Sequence, residues 1–242
     1  MLDVLDMHTH TIASGHAFNT IREMTKAAGK KGLALLGISE HAPMMPGSCH
    51  EFYFSNLKIL DRGAYDVPVM FGVELNILDK KGTIDLAERH LRELDYGIAS
   101  LHPPCIPFMS EANITGAVIA AMQNPYVNII GHPDDSRFPL NYDEIVSAAK
   151  ENNVLLEINN ASLSPTGFRV GARDNYLRML DYCKKYRCRV LLGSDAHADT
   201  LVGHHDYAIE VLAECNFPEE LVVNSSVDAF LAMLRAKEKM KQ

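Results

Sequence analysis

Short runs rich in Val, Ile and Leu recur along this chain with helix-periodic segments between them, and that alternation leaves few folds open. A strand followed by a crossover helix returns to pair with the next strand in parallel. Seven such runs are read, over residues 4–8, 33–39, 67–73, 96–101, 127–131, 154–159 and 189–194. The spacing predicts helices over 20–31, 115–123, 142–152 and 172–186, with Asn113 and Asn141 as caps, and a final amphipathic helix over 227–240. Seven βα units predict a (β/α)7 barrel. A flat, doubly wound sheet is the alternative, because spacing carries no strand order.

The 242 residues, 47% of them hydrophobic, are expected to form one domain over 1–242. The N-terminus has no basic and then apolar leader, and nowhere do about 18 apolar residues run without a charge, so a cytoplasmic protein with no membrane partner is expected. Five scattered cysteines without CxxC spacing argue against a disulfide framework or a thiolate zinc site. A formal charge of −8 opposes an extended nucleic-acid surface, so affinity for an anion must arise locally.

Eleven histidines are the compositional anomaly, and their placement carries the functional reading. The first strand ends in His8-Thr9-His10, a spacing that puts two imidazoles on one side of an extended chain. Later strands close with Glu40-His41, Glu74, His102, His132 and Asp195-Ala196-His197. Six of the seven strands thus carry His, Asp or Glu at their C-terminal ends, the face where parallel barrels build active sites. A lone histidine is more often a hydrogen-bonded core or surface residue. A convergent set is a metal site, because nothing in folding asks apolar strands to end in such groups. His16, in a loop after the first strand, joins the set through its neighbours. His90, in a charged helical stretch, is read as solvated, His50 as a loop residue, and His204 and His205 as a helix start.

These motifs in their order, with Gly131-His132-Pro133 and Gly193-Ser194-Asp195-Ala196-His197, resemble the polymerase-and-histidinol-phosphatase (PHP) family. The segments His10-Thr11-Ile12-Ala13-Ser14-Gly15-His16-Ala17-Phe18 and Leu156-Glu157-Ile158-Asn159-Asn160 are similar to its small bacterial YcdX-like phosphatases. The resemblance covers nearly the whole chain. It implies a distorted (β/α)7 barrel holding three divalent metal ions, zinc first with manganese or iron as substitutes. One would be held by His8, His10, Glu74 and Asp195, a second by Glu74, His102 and His132, and a third by His16, His41 and His197.

Such a cluster keeps net positive charge and attracts a phosphate dianion. A water between two metals would become a hydroxide near neutral pH and attack phosphorus in line. Asp195 and His197 are the candidates for proton transfer. Arg137, Arg169 and Arg173 are the candidates for phosphate contact, since a guanidinium fork suits phosphate oxygens. The expected partner is a small phosphorylated substrate, with a homo-oligomer left open. The expected activity is phosphomonoester hydrolysis. The alternatives are a PHP-type nuclease or phosphodiesterase, an amidohydrolase-like C–N hydrolase, and a metal-binding protein without catalysis.

Overall fold

The computed structural model describes residues 2–239. Its strands are β1 (Leu5–Asp6), β2 (Leu35–Ile38), β3 (Val69–Asn76), β4 (Tyr96–Ser100), β5 (Ile129–Ile130), β6 (Leu155–Asn159) and β7 (Val190–Gly193). They are interleaved with α1 (Ile21–Lys31), α2 (Glu51–Asn56), α3 (Glu88–Leu91), α4 (Glu111–Met122), α5 (Tyr142–Glu151), α6 (Asn160–Leu163), α7 (Ala172–Tyr186) and α8 (Asp206–Glu214). The chain ends in α9 (Val227–Glu238).

All neighbouring strands pair in parallel and in sequence order, β1 through β7. A doubly wound sheet reverses its order at a switch point, so this order decides for the barrel. The seam between β7 and β1 is drawn together by a parallel bridge between Thr9 and Ala196, with His10 N–H donating to Ala196 O at 2.9 Å. Lower in the seam, the segment before α9 stands where an eighth strand would. Asn224 accepts from Leu192 N–H at 2.7 Å and donates to both Leu5 O and Leu192 O at 3.0 Å, while its own carbonyl accepts from Val4 N–H.

Side-chain alternation sorts each strand into two faces. Leu5, Leu35, Tyr96, Ile129, Leu155 and Leu191 pack inside the barrel with Val223, Phe230 and Leu234, so α9 stoppers the end where the strands begin. Phe71, Val73, Leu75, Leu156, Ile158 and Leu192 face outward into the layer shared with the helices. The Tyr96 ring lies against Gly72, where a Cβ would meet ring atoms at 2.5–2.8 Å, and its hydroxyl donates to Met7 O at 2.7 Å. The apolar floor leaves the opposite end of the barrel to polar groups.

The strands differ from their expected bounds for local reasons. β1 and β5 keep two residues each, and past them the backbone turns to side chains, His8 N–H to Asp6 Oδ1, Thr9 N–H to Ser39 Oγ and, after Gly131, His132 N–H to Glu157 Oε2. β3 runs on to Asn76, which brings Glu74 into the ladder opposite Ile98. α4 begins at Glu111 with Ser110 as its N-cap residue, so Asn113 lies inside the helix and is not a cap. Asn141 does cap α5, accepting from Glu144 N–H. Met240, the expected end of the last helix, lies outside the described residues. Among the described residues no helix is long and apolar enough to cross a membrane.

Candidate metal centre

Glu74 is wholly buried, and five imidazoles converge on its carboxylate. Oε1 stands 2.9 Å from His132 Nε2, 3.2 Å from His102 Nε2 and 3.4 Å from His8 Nε2. Oε2 stands 2.6 Å from His41 Nδ1 and 3.5 Å from His10 Nε2. Asp195 Oδ1 faces the same space, 3.3 Å from His10 Nε2 and 3.7 Å from His8 Nε2. At the outer edge His197 Nε2 and His16 Nε2 are 3.0 Å apart, and their rings stack at 4.7 Å between centroids.

These donors fit a metal. His8 Nε2, His10 Nε2, His41 Nδ1 and Glu74 Oε2 are buried without a hydrogen-bond partner, a costly arrangement for polar atoms unless a cation faces them. Two ligand atoms each about 2.0–2.1 Å from a tetrahedral zinc stand roughly 3.3 Å apart. The spacings around His8 and His10 match that separation and exceed a good hydrogen bond. The ring nitrogens turned away are held: His8 Nδ1 by Glu157 Oε1 at 2.7 Å, His102 Nδ1 by Asn76 Oδ1 at 2.7 Å, His10 Nδ1 by Ser14 Oγ at 3.1 Å and His197 Nδ1 by Asp195 O at 2.9 Å. Each such bond leaves Nε2 with its lone pair pointing inward. Among the described residues, three donor groups have ligand atoms all within 4.8 Å of one another: His8/His10/Glu74, His41/Glu74/His102 and His10/His41/His197. The first lies within the expected set. In the others, His41 stands closer to Glu74, and His16 farther out, than the expected third set implies.

Two of the residues at the site sit on left-handed backbone, His132 with φ 32° and Asp195 with φ 55°. Such conformations cost about 1–3 kcal/mol each in a non-glycine residue, and their occurrence together at one site marks a place where geometry outranks local comfort. Electrostatics point the same way. Burial alone would raise the Glu74 carboxyl, but the imidazoles of His102, His41 and His8 outweigh it and hold it well below the usual range. Burial also favours the neutral ring, bringing His102 down to about 4 and His10 and His16 below their ordinary value. His8 goes the other way: against its burial, Glu157, Glu74 and Asp195 raise it.

Above the cluster opens a cavity of about 580 Å³. His16, His41, His102, Asp195 and His197 form its floor, and Met45, Leu101, Pro103, Pro104 and Phe168 its apolar walls. Of the three arginines expected there, Arg169 alone reaches it, buried and extended to Asp195 Oδ2 at 3.3 Å, Asn159 Oδ1 at 3.3 Å and Ser162 Oγ at 2.9 Å. Arg137 is engaged by Asp135, with Nη2 to Oδ2 at 2.5 Å. Arg173 lies on the exposed face of α7, paired with Glu214, and is away from the cavity. His90 is not solvated. It is buried under α2, with Ser55 Oγ at 2.6 Å from Nδ1 and Glu51 Oε2 at 3.2 Å from Nε2. His205 is buried as well, bound to Asp3 Oδ2 at 2.7 Å. His50 is the N-cap residue of α2.

Residues 6–161 match the PHP domain family. This chain belongs to that family. At full length the PHP protein is 44% identical to a "probable phosphatase" of Clostridium novyi over 98% of this chain and 97% of the relative. It is 46% identical to one of Caldanaerobacter subterraneus over 98% of this chain and 92% of the relative. In three dimensions it is similar to the histidinol phosphate phosphatase of Lactococcus lactis in complex with zinc, L-histidinol and phosphate, with TM-score 0.62, 20% identity and coverage of 90% and 95% of the two chains. It is also similar to a chain of an archaeal ribonuclease P, with TM-score 0.58, 13% identity and coverage of 98% and 92%. At those identities the structural likenesses speak for the fold.

Four buried residues of this PHP domain hold the site from behind: Glu40, which the strand-end pattern included, and Glu157, Asn159 and Asn76, which did not stand out by spacing. Glu157, Asn159, Asn76 and Glu40 are all fully buried. Asn159 Nδ2 donates to Asp195 Oδ2 at 3.2 Å, and Glu40 accepts from Thr11 N–H and from Ser14 Oγ, the hydroxyl that holds His10. A signal was present: Glu157-Ile158-Asn159 on β6 repeats the spacing of Glu74-Leu75-Asn76 on β3.

Proposed function

We propose that this PHP protein is a metal-dependent phosphomonoesterase acting on a small substrate. The observation that carries the reading is the convergence of unpartnered buried donors of His8, His10, His41 and Glu74 on one point beneath an open cavity. His8, His10, Glu74 and Asp195 would hold one ion, Glu74, His102 and His132 a second, and His16, His41 and His197 a third, with zinc favoured by the imidazole-rich donors. When bound, the ions would supply positive charge to the phosphoryl oxygens and lower the pKa of the attacking water.

The chain's own groups do the remaining work. Arg169 and Asn159 hold Asp195 Oδ2, which leaves Oδ1 aimed at the histidines. His197, on the cavity floor with its Nδ1–H on Asp195 O, presents Nε2 to the third ion, and in a protein lacking that ion the same nitrogen would be free to pass a proton to the leaving oxygen. The apolar walls suit a compact leaving group. Among the described residues no lysine lines the cavity, which weighs against the amidohydrolase reading and against a nucleic-acid track. A PHP-type phosphodiesterase is the second reading.

The test compares p-nitrophenyl phosphate with bis-p-nitrophenyl phosphate, before and after chelation and after return of zinc, manganese or iron. Metal-restored release from the monoester, at least about 10-fold faster than from the diester, is expected. Equal rates would move the assignment to the second reading, and activity indifferent to the chelator would end both.

A further inference from the structure

Glu157 stands in the middle of β6 and makes no contact with the cavity, yet it reaches two of the histidines at once. Its Oε1 accepts the Nδ1 hydrogen of His8 at 2.7 Å, and its Oε2 accepts the backbone N–H of His132 at 2.7 Å. The first bond selects the His8 tautomer whose Nε2 points at Glu74 and Asp195. The second holds the one peptide unit on β5's exit that carries His132 at φ 32°. The carboxylate is fully buried, and its space is made by a neighbour's missing side chain: a Cβ at Gly193 on β7 would collide with Oε1. Ser14 makes a comparable double contact with a neutral hydroxyl, to His10 Nδ1 at 3.1 Å and from His41 N–H at 3.1 Å, whereas Glu157 does so with a carboxylate, and His102 has Asn76 behind it.

We infer that Glu157 is a positioning residue that sets two metal subsites together, that of His8 through its ring tautomer and that of His132 through its backbone. The inference rests on the metal-site reading above. It makes a chemical distinction between glutamate and glutamine. The Oε2 side receives two donors, His132 N–H and Asn159 Nδ2 at 3.2 Å. A glutamine would therefore keep its amide oxygen on that side and turn its NH2 toward His8. An NH2 opposite Nδ1 forces the ring hydrogen onto Nε2, where the lone pair for the metal belongs. Glu157→Gln should thus disable the His8 subsite and spare that of His132, whereas Glu157→Ala should loosen both.

The experiment titrates the metal-free full chain with zinc against a chromogenic chelator. Loss of an outer carboxylate typically weakens metal binding about 10–100-fold. That loss is expected at one site in Glu157→Gln and at two in Glu157→Ala. As the isosteric variant, Glu157→Gln also guards against an unfolded Glu157→Ala. In the zinc-loaded wild type, 15N spectra of the imidazoles should show His8 with hydrogen on Nδ1. A wild type that binds zinc while Glu157→Gln binds it identically, or a His8 with hydrogen on Nε2, overturns the positioning role alone. A wild type that takes up no zinc overturns the metal-site reading and this inference with it.

Discussion

Every histidine in this chain brings the same imidazole, and what it does is decided by what faces its two ring nitrogens. In His8 and His10, one nitrogen is held by a side chain behind the ring and the other has no hydrogen-bond partner. His205 has both nitrogens facing acids, Asp3 Oδ2 at 2.7 Å and Asp6 Oδ1 at 3.6 Å. Burial pushes its pKa down, but the hydrogen bonds and charge of Asp3 and Asp6 outweigh burial and place it at about 10, above the ordinary 6.5. A folded pKa above the unfolded one means that this stabilisation is complete below about pH 6.5 and is lost as pH rises toward 10. Melting temperature should therefore fall between pH 6.5 and 10 in the wild type. His205→Asn should melt lower at pH 6 and lose much of that slope, and parallel curves would refute the assignment. The residues of the cluster were legible because acids and imidazoles ending apolar strands stand out. His205 is the N-cap residue of α8, as a helix start requires, whereas His90 was misjudged because a charged stretch of sequence does not reveal which element will cover it.

Helices and strands were placed well by periodicity and less well at their ends. α7 has its expected bounds, and α1 starts one residue later than read, because apolar spacing and caps are properties of adjacent residues. Thr20 closes a full capping box on α1 with Glu23, each side chain bonding the other's backbone N–H. Ser110 sits in the same position on α4 with no side-chain bond. Thr20→Ala should cost about 1 kcal/mol in urea unfolding, as lost caps usually do, and Ser110→Ala well under half of that. Equal costs would mean that the box contributes nothing beyond the residue type. Strand ends escaped the sequence because they are decided by partners from elsewhere: past the end of β5, His132 N–H turns to Glu157 on β6.

Closure of the barrel belongs to the whole molecule, and low in the seam between β1 and β7 it runs through one side-chain amide. Asn224 ties β1 to β7 where an eighth strand is missing, and it is fully buried. Removing it leaves Leu192 N–H and the carbonyls of Leu5 and Leu192 without their partner inside protein. At about 1–3 kcal/mol for a buried group left unsatisfied, Asn224→Ala should lose roughly 3 kcal/mol of unfolding free energy. Because β1 and β7 also carry His8, His10 and Asp195 at their ends, the same variant should bind zinc more weakly. A variant as stable as wild type would show that the seam is held by packing alone. Glu74→Gln should remove activity by about 100-fold or more and also lower the unfolding free energy of the metal-free protein at neutral pH, since the imidazoles that hold its carboxyl ionised lose their partner. Unchanged turnover would displace Glu74 from the centre.

By itself the amino-acid order determined the type and succession of elements, the end of the barrel that would be polar, and the residues gathered there. Those follow from spacing within one strand or helix and from the scarcity of reasons to end an apolar strand in His, Asp or Glu. Only the tertiary structure decided that the sheet closes, that Arg169 and not Arg173 enters the cavity, and that Glu157 stands behind His8, a contact between residues 149 positions apart. Contacts of that reach depend on how the strands wind around one another, and no local pattern in the chain carries that winding.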